Sequence, residues 1–438
     1  FCKDFFKTHK MKKDGEIVPF MPYDHQIEAA YKILKNRFCM AEVATSGGKS
    51  LIISIVLFYT LNKIDSKAKF LIIVPSITLV TQFYDNIIEY NYGVNNLIEM
   101  RDRKLTSLLE GGIDHLPCDV RVEEVMSERP RKHSGTQDAN IYIGTYQSLE
   151  KWPKEFFKQF HTVVTDEAHG AKAKTITTIL GHTFKSAYSR FGVSGTFPEE
   201  DTCEILTIQS VLGPKITEVS ANELKEKGII TPMDVKVVIM NHEDLEFDGR
   251  MTEIRRGGNG KDAFDLEKDY IHQSDKRLEF IKKIVDKCDS NTLLLFHTIE
   301  YGQKIFNKLK NELPDRDFYY IDGEVSGKKR EIIKKEMENT NDKVKVLVAS
   351  YGTLSTGVSI NAIFNVIFAD SFKSEQIIIQ SIGRALRLHD DKKKANIFDL
   401  VDVFSSKEMS NILFRHFKER EKFYIKRGYP YKITKINI

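Results

Sequence analysis

Short, uninterrupted apolar runs recur along the chain at intervals of a few tens of residues. Phe70-Leu71-Ile72-Ile73-Val74 is the clearest, with Ile141–Ile143, Thr162–Thr165 and Phe191–Val193 behind it. Runs of four or five apolar residues with no polar alternation predict strands buried on both faces, as in a parallel sheet. Between them lie longer stretches with helical spacing, such as 21–36 and Leu51–Leu61. Strand–helix alternation predicts an α/β sheet flanked by helices. A second rhythm of the same kind starts near residue 226. Its predicted strands are Val235–Ile239, Thr292–Phe296, Phe318–Ile321, Val344–Val348, Val366–Phe368 and Ala395–Phe398. No short-period repeat is visible, but the chain reads as two similar α/β halves.

Two stretches break the pattern. Residues 93–139 are too long for an ordinary connection and read as an inserted, partly helical segment with a basic loop around Arg129, Arg131 and Lys132. Residues 241–262 read as a second loop or insertion, flexible and basic at Arg255, Arg256 and Lys261. Either loop is a nucleic-acid contact or a solvated surface. Ser406 opens a helix predicted to run to Arg427, ended by Gly428 and Pro430. His416, Arg420 and Tyr424 share one face of it, and a packing role is the preferred reading.

Composition narrows the class. The chain has 438 residues, 41% hydrophobic and 29% charged, enough for two or three soluble domains. Net charge is only +4, so any anion-binding face depends on local asymmetry. Five scattered cysteines lack metal or disulfide spacing, which points to a reducing compartment. The longest apolar run is broken by Ser54 and Thr60, well short of a membrane span. No signal peptide is apparent, and the opening Phe1 makes preceding residues an expectation.

The chemistry begins at Thr45-Ser46-Gly47-Gly48-Lys49-Ser50, between an apolar strand (Phe38–Ala41) and an apolar helix. Glycines there let backbone N–H groups turn toward one anion at a helix N-terminus. Lys49 would reach the β- and γ-phosphates of a nucleotide, and the Ser50 hydroxyl would bind Mg²⁺. The general motif has Gly where this chain has Val43, and an ordinary strand–turn–helix is the alternative. Asp166-Glu167-Ala168-His169 follows an apolar strand: Asp166 is placed to hold Mg²⁺ and Glu167 to activate the attacking water. Ser194-Gly195-Thr196 follows another strand. Gln380-x-x-Gly-Arg384-x-x-Arg387 puts two arginines on one helical face, where they can neutralise transition-state charge or merely be solvated.

Jointly, these motifs resemble those of superfamily-two helicases of the DEAH type, in particular the branch-migration helicases of tailed phages, over about residues 21–429. Ser46 departs from the family's usual glycine, and Ser359 stands where many relatives carry Asp. The resemblance implies two tandem RecA-like domains with parallel sheets flanked by helices and ATP in the cleft between them. The expected boundaries are a basic, aromatic segment 1–19, domain one 20–225, domain two 226–405 and a helical tail 406–438. Gln26 falls at the adenine-reading position, and Gly357 in a nucleotide-contacting motif. Gln380, Arg384 and Arg387 are expected to complete the catalytic set of Lys49, Asp166 and Glu167. Ser76, Thr145, Thr298, Ser350 and Thr356 are implied as nucleic-acid contacts.

The expected activity is an ATP-dependent DNA helicase or translocase that remodels branched DNA in recombination, replication or repair. An RNA helicase, a double-strand translocase without unwinding, and a nucleic-acid scaffold with an inert ATP site stay open. The expected partners are forks, junctions and single strands, with no membrane. A cytoplasmic monomer is expected, in the host cell if the chain is phage-encoded.

Overall fold

A computed structural model describes the chain except residues 8, 14–15, 93–119, 126–138, 184–185, 199, 201, 257–259, 340–342, 356–359, 361, 375–376, 379–380, 384–393 and 405–410. It divides into two compact units, Phe1–Ala221 and Asn222–Ile438.

After a single helical turn at Cys2–Phe5, the first unit has an antiparallel hairpin, β1 (Lys10–Lys13) and β2 (Glu16–Pro19), then α1 (Asp24–Asn36). There follow β3 (Phe38–Val43), α2 (Lys49–Tyr59), β4 (Phe70–Val74), α3 (Ile77–Tyr92), β5 (Val122–Val125), β6 (Ile141–Thr145) and β7 (Thr162–Asp166). The unit closes with α4 (Lys174–His182), β8 (Ser189–Ser194), α5 (Cys203–Leu212) and β9 (Lys215–Val219). The seven strands β3–β9 form one parallel sheet in the order β5-β6-β4-β7-β8-β3-β9. Its central strands β4, β6, β7 and β8 are buried throughout, which is why each carries a short apolar segment without polar alternation. Helix α2 is apolar on every side, with Leu51–Ile53 and Ile55–Phe58 all buried. The N-terminal aromatics complete its cover: Phe5 stacks on Phe58 at 5.3 Å.

The second unit contains β10 (Met233–Asn241), α6 (Leu245–Arg256), α7 (Gly260–Gln273), α8 (Asp275–Lys287), β11 (Thr292–Phe296), α9 (Ile299–Glu312) and β12 (Asp317–Ile321). After these come α10 (Gly327–Glu338), β13 (Lys345–Ser350), β14 (Asn365–Phe368), β15 (Ala395–Val403), α11 (Ile412–Lys426) and β16 (Tyr431–Asn437). Its sheet is again seven-stranded and parallel, in the order β12-β13-β11-β14-β15-β10-β16. The expected pair of helix-flanked parallel sheets is therefore present.

Several local expectations change. Within 93–139, Val122–Val125 form an edge strand, β5, whose half-exposed Glu123 and Glu124 mask the strand signal; the expected helical part of the insertion lies outside the described residues. The described part of 241–262 is mostly helical rather than a loop: Arg255 and Arg256 end α6, and Lys261 lies in the first turn of α7. A small apolar core of Phe247, Met251, Ala263, Ile271, Phe404 and Leu413 holds these helices against α11. Buried Glu267 of α7 accepts from the Ile412 and Leu413 backbone N–H groups at 3.0 and 2.9 Å, capping the orphan donors of α11. The tail also adds a strand: β16 lies parallel to β10 at the sheet edge.

Face residues of α11 are structural. Arg420 donates to both carboxylate oxygens of Asp399 at 2.9 and 2.8 Å, and the Tyr424 hydroxyl donates to Asp399 at 2.9 Å. All three side chains are buried.

Candidate nucleotide site

Three loops meet at the C-terminal ends of adjacent strands β3, β8 and β7. The glycine-rich loop leaves β3 and runs into α2, whose N-terminus begins at Lys49. Ser46 and Gly48 both adopt left-handed backbone conformations, φ 69° and φ 82°. The first is the position where the resembled motif has glycine, and the left-handed conformation supplies a reason for one.

Gly48 is constrained twice. A Cβ there would meet the Gln26 side-chain nitrogen at 2.1 Å. That amide donates to the Gly47 carbonyl at 3.1 Å, while its oxygen accepts from the Tyr23 N–H at 2.9 Å. His25 Nε2 lies 2.9 Å from the same Gly47 carbonyl; a carbonyl only accepts, so Nε2 carries the proton. The start of α1 thus clamps the phosphate loop through two side chains. Sequence reasoning marked Gln26 for adenine and passed over His25. The available signal was the spacing of Gln26 from Tyr23, the three-residue step by which a first-turn side chain returns to the cap.

Asp166 ends β7, and Glu167 follows in a left-handed conformation, φ 48° and ψ 49°, unusual for a residue with a Cβ. The Lys49 ammonium lies 3.5 Å from one Glu167 oxygen, and His169 Nδ1 lies 3.3 Å from the other. His169 Nδ1 is also 2.9 Å from Ser194 Oγ, whose hydroxyl donates to the Thr196 carbonyl at 2.7 Å. Lys49, Glu167, His169, Ser194 and Thr196 form one polar chain across the three loops.

The two carboxylates are pushed apart. Burial and the neighbouring Glu167 charge raise Asp166 above the ordinary range, against the pull of Lys49. Burial also acts to raise Glu167, but Lys49 and His169 outweigh it and hold Glu167 well below that range. One Asp166 oxygen is buried with no hydrogen-bond partner. That orphan carboxylate fits Mg²⁺, which takes one or two protein oxygens and fills its shell with phosphate and water; the half-buried Ser50 at the start of α2 offers a second oxygen. Among the described residues no cluster of three or more His, Cys, Asp or Glu offers a dedicated metal cage.

Ser76 follows β4, and Thr145 ends the adjacent strand β6. Thr145 is buried, caps the next helical turn and lies 2.9 Å from Ser148 Oγ. In the second unit Thr298 and Ser350 sit at the ends of adjacent strands β11 and β13. Thr298 Oγ1 is buried without a hydrogen-bond partner, and Ser350 Oγ contacts Thr353 Oγ1. Lys261 is exposed. Arg129, Arg131, Lys132, Thr356, Gly357, Gln380, Arg384 and Arg387 lie outside the described residues.

Residues 23–205 match the DEAD/DEAH box helicase family and residues 276–389 the helicase conserved C-terminal domain. The ATP-dependent DNA helicase uvsW of Enterobacteria phage T4 is 30% identical over 430 residues, covering 95% of this chain and 78% of that protein. The chain belongs to the DEAD/DEAH-box helicase family. Solved structures agree in fold at low identity. The restriction-modification enzyme LlaBIII bound to DNA superposes with a TM-score of 0.65 at 14% identity, covering 97% of this chain and 32% of that one. Dbp5 of S. cerevisiae, bound to RNA and ADP BeF3, gives 0.60 at 14% identity, covering 95% and 90%. Among the described residues no helix of this helicase is long and apolar enough to cross a membrane.

Proposed function

We propose that the chain is an ATP-dependent DNA helicase that remodels branched DNA, regressing forks or migrating junctions. The observation that carries the ATPase half is the Lys49–Glu167–His169–Ser194 chain. It ties a phosphate-loop cation, a carboxylate and the loop after β8 into one unit. Lys49 binds the β- and γ-phosphates, and Glu167, kept ionised, takes the proton of the attacking water. Ser50 and Asp166 would hold Mg²⁺, which would neutralise charge on the phosphates. Gln26 couples the entrance of α1 to the phosphate loop. Gln380, Arg384 and Arg387 act in hydrolysis.

The DNA half is supported by the relationship to uvsW, described as an ATP-dependent DNA helicase. Ser76, Thr298, Ser350 and Thr356 are taken as backbone contacts, which suit a motor that must accept any sequence. Thr145, already hydrogen-bonded, positions its loop. Arg129, Arg131 and Lys132 with Arg255, Arg256 and Lys261 are taken as contacts to a second duplex arm.

The test compares ATP turnover stimulated by single-stranded DNA, forked DNA and RNA, followed by unwinding of forks and four-way junctions. Highest stimulation and processing on branched DNA is expected. Preference for RNA, or translocation without strand separation, selects another motor; no stimulated turnover leaves a scaffold. Replacing either basic triplet with Ala should weaken junction binding and flatten its salt dependence, by a slope of about 0.9 per lost phosphate contact.

A further inference from the structure

The opposite rim of the first sheet, where the strands begin, carries a stack of π surfaces and cations that the nucleotide site does not use. Arg37 ends α1 and leads into β3 with φ 61° and ψ −48°, a strained conformation for a residue with a Cβ. Its carbonyl accepts from Ser189 Oγ at 2.8 Å and from the Arg190 N–H at 2.9 Å, which locks the strained turn to the start of β8. Its guanidinium lies 4.1 Å from the centre of the Tyr188 ring. Tyr188 in turn stacks on His161 at 4.8 Å. Beside this, the Arg190 guanidinium covers Phe38 at 4.8 Å.

The rim is accessible. Arg37 is exposed, and Tyr188 and Phe38 are 41% and 38% exposed. Its charge is mainly positive: Lys35 and Lys67 are exposed, and Lys69, bonded to Gln159, adjoins His161, whose N–H donates to the Lys69 carbonyl. Asp65 opposes them near His161.

Glycine would relieve the turn at residue 37, at the loss of the exposed guanidinium–Tyr188 contact. What arginine adds is a flat, always-charged face at the open end of the His161–Tyr188 stack. A guanidinium plane and exposed rings among lysines are the chemistry that holds unstacked bases and their phosphates.

We propose that this rim is a second binding site for single-stranded nucleic acid, with a base stacked on the Arg37 guanidinium or Phe38 and phosphates met by Arg37 and the rim lysines. On a branched substrate it would retain a displaced strand on the side of the sheet away from the nucleotide. The inference rests on the reading of the chain as a nucleic-acid motor.

Photocrosslinking of an iodouracil-substituted single strand to the full chain tests it without requiring ATP turnover, so the two readings fail separately. Adducts are expected in the peptides holding Phe38, Tyr188 or His161. Arg37→Gly should reduce crosslinking and fork affinity about fivefold or more, with an unchanged or higher melting temperature. Tyr188→Phe should retain binding and Tyr188→Ala lose it, while turnover saturated by a short oligonucleotide stays at the parent level. Adducts only at other peptides, or a lower melting temperature for Arg37→Gly with unaltered DNA binding, would overturn the proposal. The latter outcome makes the stack a fold element or a protein-docking surface.

Discussion

The side-chain amide of Gln26 occupies the space that a Cβ on Gly48 would need, 2.1 Å from that position. A helix that begins before the sheet and the turn that cradles phosphate are thereby in mutual contact. Whatever shifts Gln26 shifts the loop.

Gly48→Ala therefore meets two obstacles, a φ of 82° and the Gln26 amide. We expect nucleotide binding to be lost and stability to fall by about 1–3 kcal/mol. Adding Gln26→Ala removes the clash but not the backbone strain. The double variant should be less destabilised than the sum of the single ones. Strict additivity in thermal unfolding would show that the two residues are uncoupled.

Glu167→Gln should bind ATP yet turn it over about 10²–10⁴-fold more slowly, because only the base is removed. Lys49→Ala should lose binding as well. Equilibrium nucleotide binding beside steady-state turnover separates the two. Parent-level turnover in Glu167→Gln would remove Glu167 from its assigned role.

Arg384→Ala and Arg387→Ala should spare nucleotide binding and impair hydrolysis. An arginine that neutralises transition-state charge contributes roughly 10³–10⁵ in turnover. At least one variant should show a loss of that order. Turnover within a fewfold of the parent in both would exclude the role.

The pH dependence of stability has a defined window in the second unit. Burial would raise Asp402, but Arg277 at 2.8 Å and His242 at 2.8 Å lower it from 3.8 to about 2. A depressed carboxylate stabilises the fold above its unfolded pKa, and that contribution disappears as pH falls through the folded value. The loss should amount to about 2 kcal/mol between roughly pH 4 and pH 2. Urea unfolding across this range should show it, and Asp402→Asn should flatten the slope there.

Arg420→Ala leaves the buried Asp399 carboxylate without its two-point partner. The expected cost is about 3–5 kcal/mol. Asp399→Asn in the same background should recover part of it, and nucleotide binding should persist. If instead turnover falls while the unfolding curve stays in place, α11 acts in catalysis rather than in packing.

Where a residue's environment repeats along the chain, the sequence alone was decisive. Strands buried on both faces carry an unalternated apolar segment, so β4, β7 and β11 are legible as runs, and alternation with helices implies parallel sheets. The phosphate loop and Asp166-Glu167 are also local, because glycine conformations and a strand-end carboxylate are properties of consecutive residues. The edge strands β5 and β16 were hidden for the converse reason. β5 contains Glu123 and Glu124, and β16 is exposed over most of its length, so neither needs an apolar run. Only the tertiary structure brought His25 to Gly47, Arg420 to Asp399 and Arg37 to Tyr188. Each of these contacts joins segments far apart in sequence, with partners fixed by sheet order and register. It also turned a polar, basic stretch near residue 250 into paired helices, because α11 supplies the apolar surface that those helices bury.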